Sequence, residues 1–351
     1  MLDFLILVIG FYMMLECRKG RFLVMKKWMV FAVMIFVLVG GFFIKSNLFF
    51  IEFDNAKIEK EIRNQIKNPF VGISVKELES IEKLSLSDIG TTKLQNFDYM
   101  VNLRSLRIYD SNITDLSPIA NLDLFTLSLC NDNINDISVL ANPNIFRLEL
   151  YDNNITDISV LSQFSGIKIL DIESNEISDI SSLASLSELG KLCISDNPIE
   201  DMSSISALDG LNTLRMNDMG ISDISFLSAN ENLEFLDMHR NEISDISALL
   251  DKTELTAIGM NGNQISNIDD LDKIPNLTSI FLRDNLIESV DNVWSFKNLD
   301  RLDLRNNKLS NIDFLKNCRT LKNLALAGNK KMDYSGVQDF YNNIDFVDFD
   351  L

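Results

Sequence analysis

Between residues 81 and 330, apolar residues follow two patterns that alternate along the chain. One places leucine or isoleucine at every second position, as in Leu148-Glu149-Leu150, and the other spaces them three or four residues apart. Alternation with a period of two predicts a short β-strand whose apolar side chains share one face, whereas the wider spacing predicts a helical turn. The chain is therefore expected to alternate short strands with single tight helical turns.

The two patterns together form a unit that repeats at a fixed interval. Each unit reads L-x-x-L-x-L-x-x-N-x-I-x-D-I-S-x-L, and its asparagine position recurs every 22 residues from Asn153 to Asn329. Met219 interrupts the series, and Ser111 and Asp132 occupy the position in two earlier units that step by 21 residues. The asparagines at this recurring position are Asn153, Asn175, Asn197, Asn241, Asn263, Asn285, Asn307 and Asn329.

About twelve such units, over residues 81–330, are expected to stack, because no single unit can bury its own apolar face. The unit resembles the leucine-rich repeats, specifically the short 22-residue class of bacterial internalins and of some phosphatase-regulatory subunits. This resemblance implies an α/β leucine-rich-repeat solenoid, which is a curved parallel sheet with short helical turns on its convex side. The recurring asparagines are interpreted as a structural ladder, since a side-chain amide can pair backbone groups that a turn leaves free.

A solenoid needs a cap at each end. Residues 46–80 are predicted to be a linker and a helical N-terminal cap that begins at Asp54 or Asn55. This helix and the segment after it resemble the N-terminal cap of internalin-type proteins. Residues 331–351 lose the repeat and are predicted to form a C-terminal cap whose last strand lies near residues 344–349. The apolar stripe of the predicted helix is Ile58, Ile62 and Ile66.

The N-terminus carries a further apolar segment. Residues 28–44 are 17 uncharged residues preceded by two lysines, which predicts a transmembrane anchor or signal segment over residues 25–45. Positive residues favour the cytoplasmic side, so the repeat domain is expected outside the cell, membrane-bound or secreted. An uncleaved anchor is favoured, with cleavage after Gly41 left open. Residues 1–24 form an apolar and basic leader, and either Met1 or Met25 is the start.

Charge and composition disfavour several classes of function. The chain carries 32 basic and 51 acidic side chains, a net charge of −19, although residues 1–45 hold six basic and only two acidic ones. Such an acidic repeat domain disfavours nucleic acid as a partner. A single histidine, His239, excludes most imidazole chemistry, and it is expected to be an ordinary surface residue. No enzyme activity, cofactor or metal is predicted.

Cysteines and aspartates give two further expectations. Cys130 and Cys193 occupy outward strand positions three repeats apart, about 14 Å, which is too far for a disulfide. One aspartate per unit stands before the helical turn, where it could cap the turn or bind calcium. Capping is favoured, because the glycine-rich nonapeptide of repeating calcium sites is missing. These aspartates are Asp115, Asp136, Asp157, Asp179, Asp201, Asp223 and Asp245.

The outward strand positions are the predicted binding surface. From Ser105 to Ala327 they hold seven basic and five acidic residues, so this concave face is nearly neutral within an acidic domain. The sequence predicts a non-enzymatic extracytoplasmic recognition protein that binds a protein or glycan here. The alternative is an envelope scaffold or sensor subunit that binds a membrane protein through its N-terminal segment. The candidate contact residues are Arg107, Tyr109, Arg147, Tyr151, Phe235, Phe281, Arg283, Arg301 and Arg305.

Overall fold

The computed structural model describes residues 50–69, 71–140, 144–331 and 344–348. The predicted membrane segment, residues 28–44, lies outside this part of the chain, as does everything that precedes it. Within the described ranges, no helix has both the length and the apolar character that crossing a membrane requires.

Helix α1 (Ala56–Ile66) precedes the repeats. Its N-cap is Asn55, whose Oδ1 accepts two N–H groups of the first helical turn at 3.0 and 3.1 Å. The Nδ2 of the same residue donates to the carbonyl oxygen of Ile89 at 2.8 Å. Ile58 and Ile62 are buried, whereas the third isoleucine of the stripe stays partly exposed. Asn55 therefore both starts the helix and joins it to the first repeat.

The two short strands near the N-terminus, and the first three residues of the helix after them, belong to a separate compact unit. Strand β1 (Phe50–Ile51) pairs antiparallel with β2 (Ile73–Ser74), and helix α2 (Val75–Glu79) begins directly after β2. The Glu77 carboxylate accepts the N–H of Ser74 at 2.8 Å and its hydroxyl at 2.7 Å. In return, the Ser74 hydroxyl accepts the N–H of Glu77 at 3.4 Å. This reciprocal pairing is a capping box, which fixes where α2 starts.

The repeats form one parallel sheet of 13 strands that follow each other in chain order. Neighbouring strands align each residue with its counterpart one repeat later, as Leu148 does with Leu170. The sequence period thus becomes the register of the sheet. The strands are β3 (Lys83–Ser87), β4 (Ser105–Tyr109), β5 (Thr126–Cys130), β6 (Arg147–Glu149), β7 (Ile169–Asp171), β8 (Lys191–Cys193), β9 (Thr213–Arg215), β10 (Phe235–Asp237), β11 (Ala257–Gly259), β12 (Ser279–Phe281), β13 (Arg301–Asp303), β14 (Asn323–Ala325) and β15 (Phe346–Val347).

Short 3-10 turns connect many of these strands, so the expected solenoid of strands and single helical turns is confirmed. A 3-10 turn is tighter than an α-helix and suits a segment of three to five residues. The leucines and isoleucines of both elements point inward and are buried in one continuous core. The turns lie at Phe97–Tyr99, Ser117–Ile119, Ser159–Gln163, Ser181–Ser185, Ser203–Ala207, Ser225–Ala229, Ser247–Leu249, Leu271–Lys273 and Asp313–Leu315.

The chain leaves most strands through a residue in the left-handed conformation. Asp152 (φ 55°) and Asp196 (φ 53°) precede the ladder residues Asn153 and Asn197, and Gly262 (φ 71°) holds the same place later. Aspartate, asparagine and glycine adopt this conformation at the lowest cost. Their recurrence explains why the turn, and with it the ladder position, stays in register.

The last described strand closes the sheet at its C-terminal end. Strand β15 lies within the segment predicted to be the final strand and pairs parallel with β14. The Oδ1 of Asp348, which follows β15, accepts the N–H groups of Leu326 at 2.7 Å and Ala327 at 3.1 Å. Phe346 keeps 54% of its surface exposed. One carboxylate therefore pairs backbone groups that follow β14.

Candidate partner-binding face and its supporting ladder

Asparagine side chains join most of the repeats to their predecessors. The Nδ2 of Asn175 donates to the carbonyl oxygens of Leu150, Ile172 and Glu173 at 3.0, 3.1 and 3.0 Å. Its Oδ1 accepts the N–H of Ile155 at 3.0 Å. Buried backbone groups of the turn are thereby paired within the protein. Equivalent bonds are made by Asn153, Asn197, Asn241, Asn263, Asn285, Asn307 and Asn329.

Met219 interrupts this ladder because a thioether offers no amide. The N–H of Ile199, which a ladder asparagine would otherwise accept, bonds instead to Asn197 O of its own repeat at 2.9 Å. On the other side, Asn241 Oδ1 accepts the N–H of Met219 at 3.0 Å and that of Ile221 at 3.1 Å. The junction between β8 and β9 keeps its strand pairing but lacks the bridge that a ladder asparagine would make.

Ser111 and Asp132 begin the ladder, and both are fully buried. The Oδ1 of Asp132 accepts the N–H of Ser111 at 2.7 Å. The Ser111 hydroxyl donates to Tyr109 O at 2.7 Å and accepts the N–H of Ile89 at 3.2 Å. The two 21-residue units therefore maintain the connection with different polar groups.

The recurring aspartates cap the helical turns, and each lies one residue before the N-cap position. The Oδ1 of Asp179 accepts the N–H of Ser181 at 2.8 Å, while the helical N-cap itself is Ile180. This arrangement is an Asx turn. The N–H and hydroxyl of Ser181 hold the pKa of Asp179 below its usual value. The same bond, between 2.8 and 3.0 Å, is made by Asp115, Asp136, Asp157, Asp201, Asp223 and Asp245.

The outward side chains of β4 to β14, with those just after each strand, form what we call the strand face. The sequence places Cys130 and Cys193 on it, yet both are fully buried. Cys130 aligns with Tyr109, and Cys193 lies between Asp171 and Arg215, so larger neighbours cover the two small side chains. Burial raises the pKa of both thiols to about 12. Cys130, Cys193 and the buried Cys318 are free thiols.

A hydrogen-bonded network crosses the middle of the strand face. The Nε of Arg215 lies 3.3 Å from Asp237 Oδ2 and 3.8 Å from Glu173 Oε1. The Nδ1 of His239 accepts the N–H of Asn261 at 2.9 Å, so the proton is assigned to Nε2, 2.8 Å from Asp237 Oδ1. His239 is thus a partly buried bridge between strands, and the expectation of an ordinary surface residue is wrong.

Glycine makes room for this bridge. A Cβ atom at Gly259 would lie 2.8 Å from His239 Cε1, closer than side-chain carbons pack. Burial favours a high pKa for Asp237, but hydrogen bonds from His239 and Asn217 and the charge of Arg215 lower it overall. The Asp237 carboxylate therefore stays ionised and fixes its neighbours. In the described ranges, no three His, Cys, Asp or Glu side chains are grouped as metal ligands would be.

Candidate contact residues at the N-terminal end form a first group on β4 and β6. Tyr109 ends β4 and Tyr151 follows β6, two strand spacings or about 10 Å apart. Arg147 pairs with Glu149 at 2.8 Å, and Arg107 is exposed. The sheet therefore brings both tyrosines and both arginines onto one patch.

A second group lies on β12 and β13. Phe281 ends β12 and Arg283 follows it by two residues. Arg301 begins β13, and Arg305 follows the end of β13 by two residues. The Asp303 carboxylate holds Arg305 through its Nε and Nη2 at 2.9 and 2.5 Å. The side chain of Arg301 is 61% exposed. Three arginines and one partly buried aromatic ring thus lie on two adjacent strands of the strand face.

The sheet does not bring these two groups together. Six strand spacings, roughly 29 Å, separate β6 from β12. Phe235 belongs to neither group, since it stands on β10 between them. A partner that contacts both groups must therefore extend along much of the strand face.

Two features of this region were missed by sequence reasoning. Burial and the nearby charge of Glu173 raise the pKa of Asp171 to about 6. Phe125 and Phe146, each directly before a strand, stack with ring centroids 4.9 Å apart, and Phe125 is 53% exposed. Aromatic residues at the same offset in two consecutive units were the available signal. No signal in the sequence indicated the raised pKa of Asp171, because that pKa depends on how the carboxyl group is packed.

Comparisons with known proteins agree with this architecture. A family model described as leucine rich repeats (2 copies) matches residues 143–185. The crystal structure of an internalin from Listeria monocytogenes is 26% identical, with a TM-score of 0.77 over 85% of this chain and 96% of that one. The plant peptide hormone receptor RGFR1 in complex with RGF2 is 16% identical, with a TM-score of 0.53 over 70% of this chain and 45% of that one. No curated protein matches the chain in sequence.

Proposed function

We propose that this internalin-like leucine-rich repeat protein is a non-enzymatic recognition protein that binds a protein partner on its strand face. The observation that carries the proposal is that this face is both ordered and accessible. Side chains from β7 to β12 bond to neighbouring strands. Arg283 and Arg301 nevertheless expose 45% and 61% of their side chains. Groups that are already ordered lose less conformational entropy when a partner binds.

The residue types on the face support a protein partner. Tyrosine, arginine and aromatic residues are enriched among the few contacts that dominate binding energy. The first group supplies Tyr109 and Tyr151 beside arginines, and the second supplies Phe281. The strand face is nearly neutral in a chain whose net charge is −19, so like-charge repulsion at the contact is small.

The comparisons support the same class of function. The internalin is similar over almost its whole length and over most of this chain. The plant receptor, which shares the fold alone, has a structure in complex with RGF2. Fold does not fix function, so the proposal depends on the residues of the strand face.

We also propose that residues 28–44 hold the protein in the membrane, with the repeats outside the cell. The apolar run and the two lysines before it support this orientation. Protease added to intact cells should digest the repeats and leave a short N-terminal fragment. Full protection of the chain until the cells are lysed would rule out this placement.

The experiment for the binding function is cross-linking of the full-length protein on intact cells, followed by capture and identification of the partner. The test variants are Tyr109→Ala with Tyr151→Ala, and Phe281→Ala with Arg301→Ala. Tyr99→Ala is the matched control for the first pair, because Tyr99 is 38% exposed and lies on a 3-10 turn away from the strand face. Leu286→Ala with Lys308→Ala is the control for the second pair.

We expect capture of one protein to fall in at least one test variant and to persist in both controls. Undiminished capture in both test variants would argue against the strand face. If that capture also required residues 28–44, the evidence would favour the alternative of a scaffold or sensor subunit bound through the N-terminal segment. Capture that a glycosidase abolishes would instead indicate a glycan partner.

A further inference from the structure

The ladder uses the two ends of an amide for opposite tasks. The Oδ1 of Asn153 accepts the N–H groups of Asp132 at 3.1 Å and Ile134 at 3.0 Å. Its Nδ2 donates to the carbonyl oxygens of Leu129 and Leu150 at 2.8 and 2.9 Å. A ladder residue therefore needs one accepting atom and one donating atom, and the donating atom faces carbonyl oxygens.

Asp132 holds the preceding position of the ladder with a carboxyl group. It is fully buried, and its Oδ1 accepts the N–H of Ser111 at 2.7 Å, as a ladder oxygen should. Its Oδ2 is buried and has no hydrogen-bond partner among the described residues. If the carboxyl group were ionised, Oδ2 would share its negative charge at the position where a ladder asparagine has N–H donors. No donor among the described residues would pair with that charge. Burying an unpaired charge in this way is costly.

We propose that Asp132 is a proton-binding site of the ladder, and that its protonated Oδ2–H donates where asparagine donates through Nδ2–H. One proton then supplies the missing donor and removes the buried charge. This role lies outside partner recognition, so it does not depend on the proposed function.

The surroundings of the carboxyl group agree with this assignment. Burial raises the pKa of Asp132, and the charge of Asp110 in the preceding turn adds to the effect. Hydrogen bonds from the backbone N–H groups of Ser111, Ile113 and Asn112 act in the opposite direction without cancelling it. The adjoining ladder residues, a serine and an asparagine, do not titrate.

A proton that the folded state holds more tightly than the unfolded state makes stability depend on pH. Because the pKa of Asp132 is raised on folding, its contribution is fully present below the unfolded pKa, near 3.8, and is lost as the pH rises through the folded pKa. The aspartates of the Asx turns act in the opposite direction at more acidic pH, since their pKa values are lowered. The pH dependence of the whole protein therefore mixes both effects.

The test compares Asp132→Asn with the wild-type full-length protein, so that every other titrating group cancels. We expect Asp132→Asn to have a Tm several degrees above wild type at pH 8, and the difference to shrink towards zero near pH 4. The reciprocal variant Asn153→Asp, in the adjoining ladder position, should lose stability at pH 8 and recover it in acid. A difference between wild type and Asp132→Asn that is the same at every pH would overturn the proposal.

A second measurement does not depend on stability or on the folding of Asn153→Asp. Infrared difference spectroscopy of the folded wild type between mildly acidic and alkaline pH should detect a carbonyl band of a protonated carboxylic acid that is missing in Asp132→Asn. Identical spectra in that region would overturn the assignment. A stabilising effect of Asp132 that a chelator removes would also overturn it, because the occupant of the site would then be a metal ion.

Discussion

Asn241, the ladder residue that follows the interruption, bonds directly to the backbone of Met219. Its Oδ1 accepts the N–H of Met219 at 3.0 Å as well as that of Ile221 at 3.1 Å. Its Nδ2 donates to the carbonyl oxygens of Met216 at 2.8 Å and Met238 at 3.1 Å. The residue that follows the interruption thus carries more of the connection between repeats than the interrupted position does.

Replacing Asn241 should therefore lower the free energy of unfolding, whereas replacing Met219 should not. Asn241→Ala leaves buried donors and acceptors of two repeats unpaired, and we expect the free energy of unfolding to fall by about 1–3 kcal/mol. Met219→Asn restores an asparagine at the ladder position, and its effect on the free energy of unfolding should be close to neutral or stabilising. Urea unfolding followed by circular dichroism measures both. Equal and negligible effects at the two positions would contradict a ladder that contributes to stability.

The Asx-turn aspartates should not depend on calcium. The Oδ1 atoms of Asp179, Asp201 and Asp223 already accept backbone N–H groups, so a chelator should leave the Tm unchanged. Asp201→Asn keeps an accepting oxygen and should preserve the Tm, whereas Asp201→Ala should lower it. A Tm that drops by several degrees with chelator and recovers with added calcium would reassign these residues as metal ligands.

The cysteines of the repeats should be unreactive in the folded protein. Burial raises the pKa of Cys130, Cys193 and Cys318 to about 12, and the thiolate is the reactive form. In a Cys17→Ser background at pH 8, a thiol reagent should label none of the three until denaturant is added. Rapid labelling of Cys130 or Cys193 under native conditions would place these thiols on the accessible strand face after all.

The strand face should lose affinity when its aromatic contacts are removed. With a partner identified, Tyr109→Ala together with Tyr151→Ala should weaken binding by the folded protein by more than ~2 kcal/mol, the scale of a binding hot spot. Phe281→Ala with Arg301→Ala tests the second group in the same way. Calorimetric titration of the folded variants measures the change. Full affinity in both double variants would contradict binding on the strand face and would favour the helical cap or the N-terminal segment as the contact site.

The sequence alone determined the architecture and the positions of its recurring parts. A period of 22 residues predicts stacked units, and in the structure the same period sets the register in which Leu148 meets Leu170. It also located the ladder asparagines and the aspartates of the turns. These inferences succeed because each repeat packs on a near copy of itself, so a residue type that recurs meets the same surroundings every time.

Only the tertiary structure decided what the non-repeating side chains do. Cys130 and Cys193 occupy outward positions and are buried, and His239 bridges two strands. One carboxyl oxygen of Asp132 is buried and has no hydrogen-bond partner in the part of the chain that the structure describes. Each outcome depends on the size and charge of side chains about 21 or 22 residues away in the chain and one strand away in the sheet. Exposure and ionisation are properties of that local packing, and a periodic pattern carries no information about positions at which the period is broken.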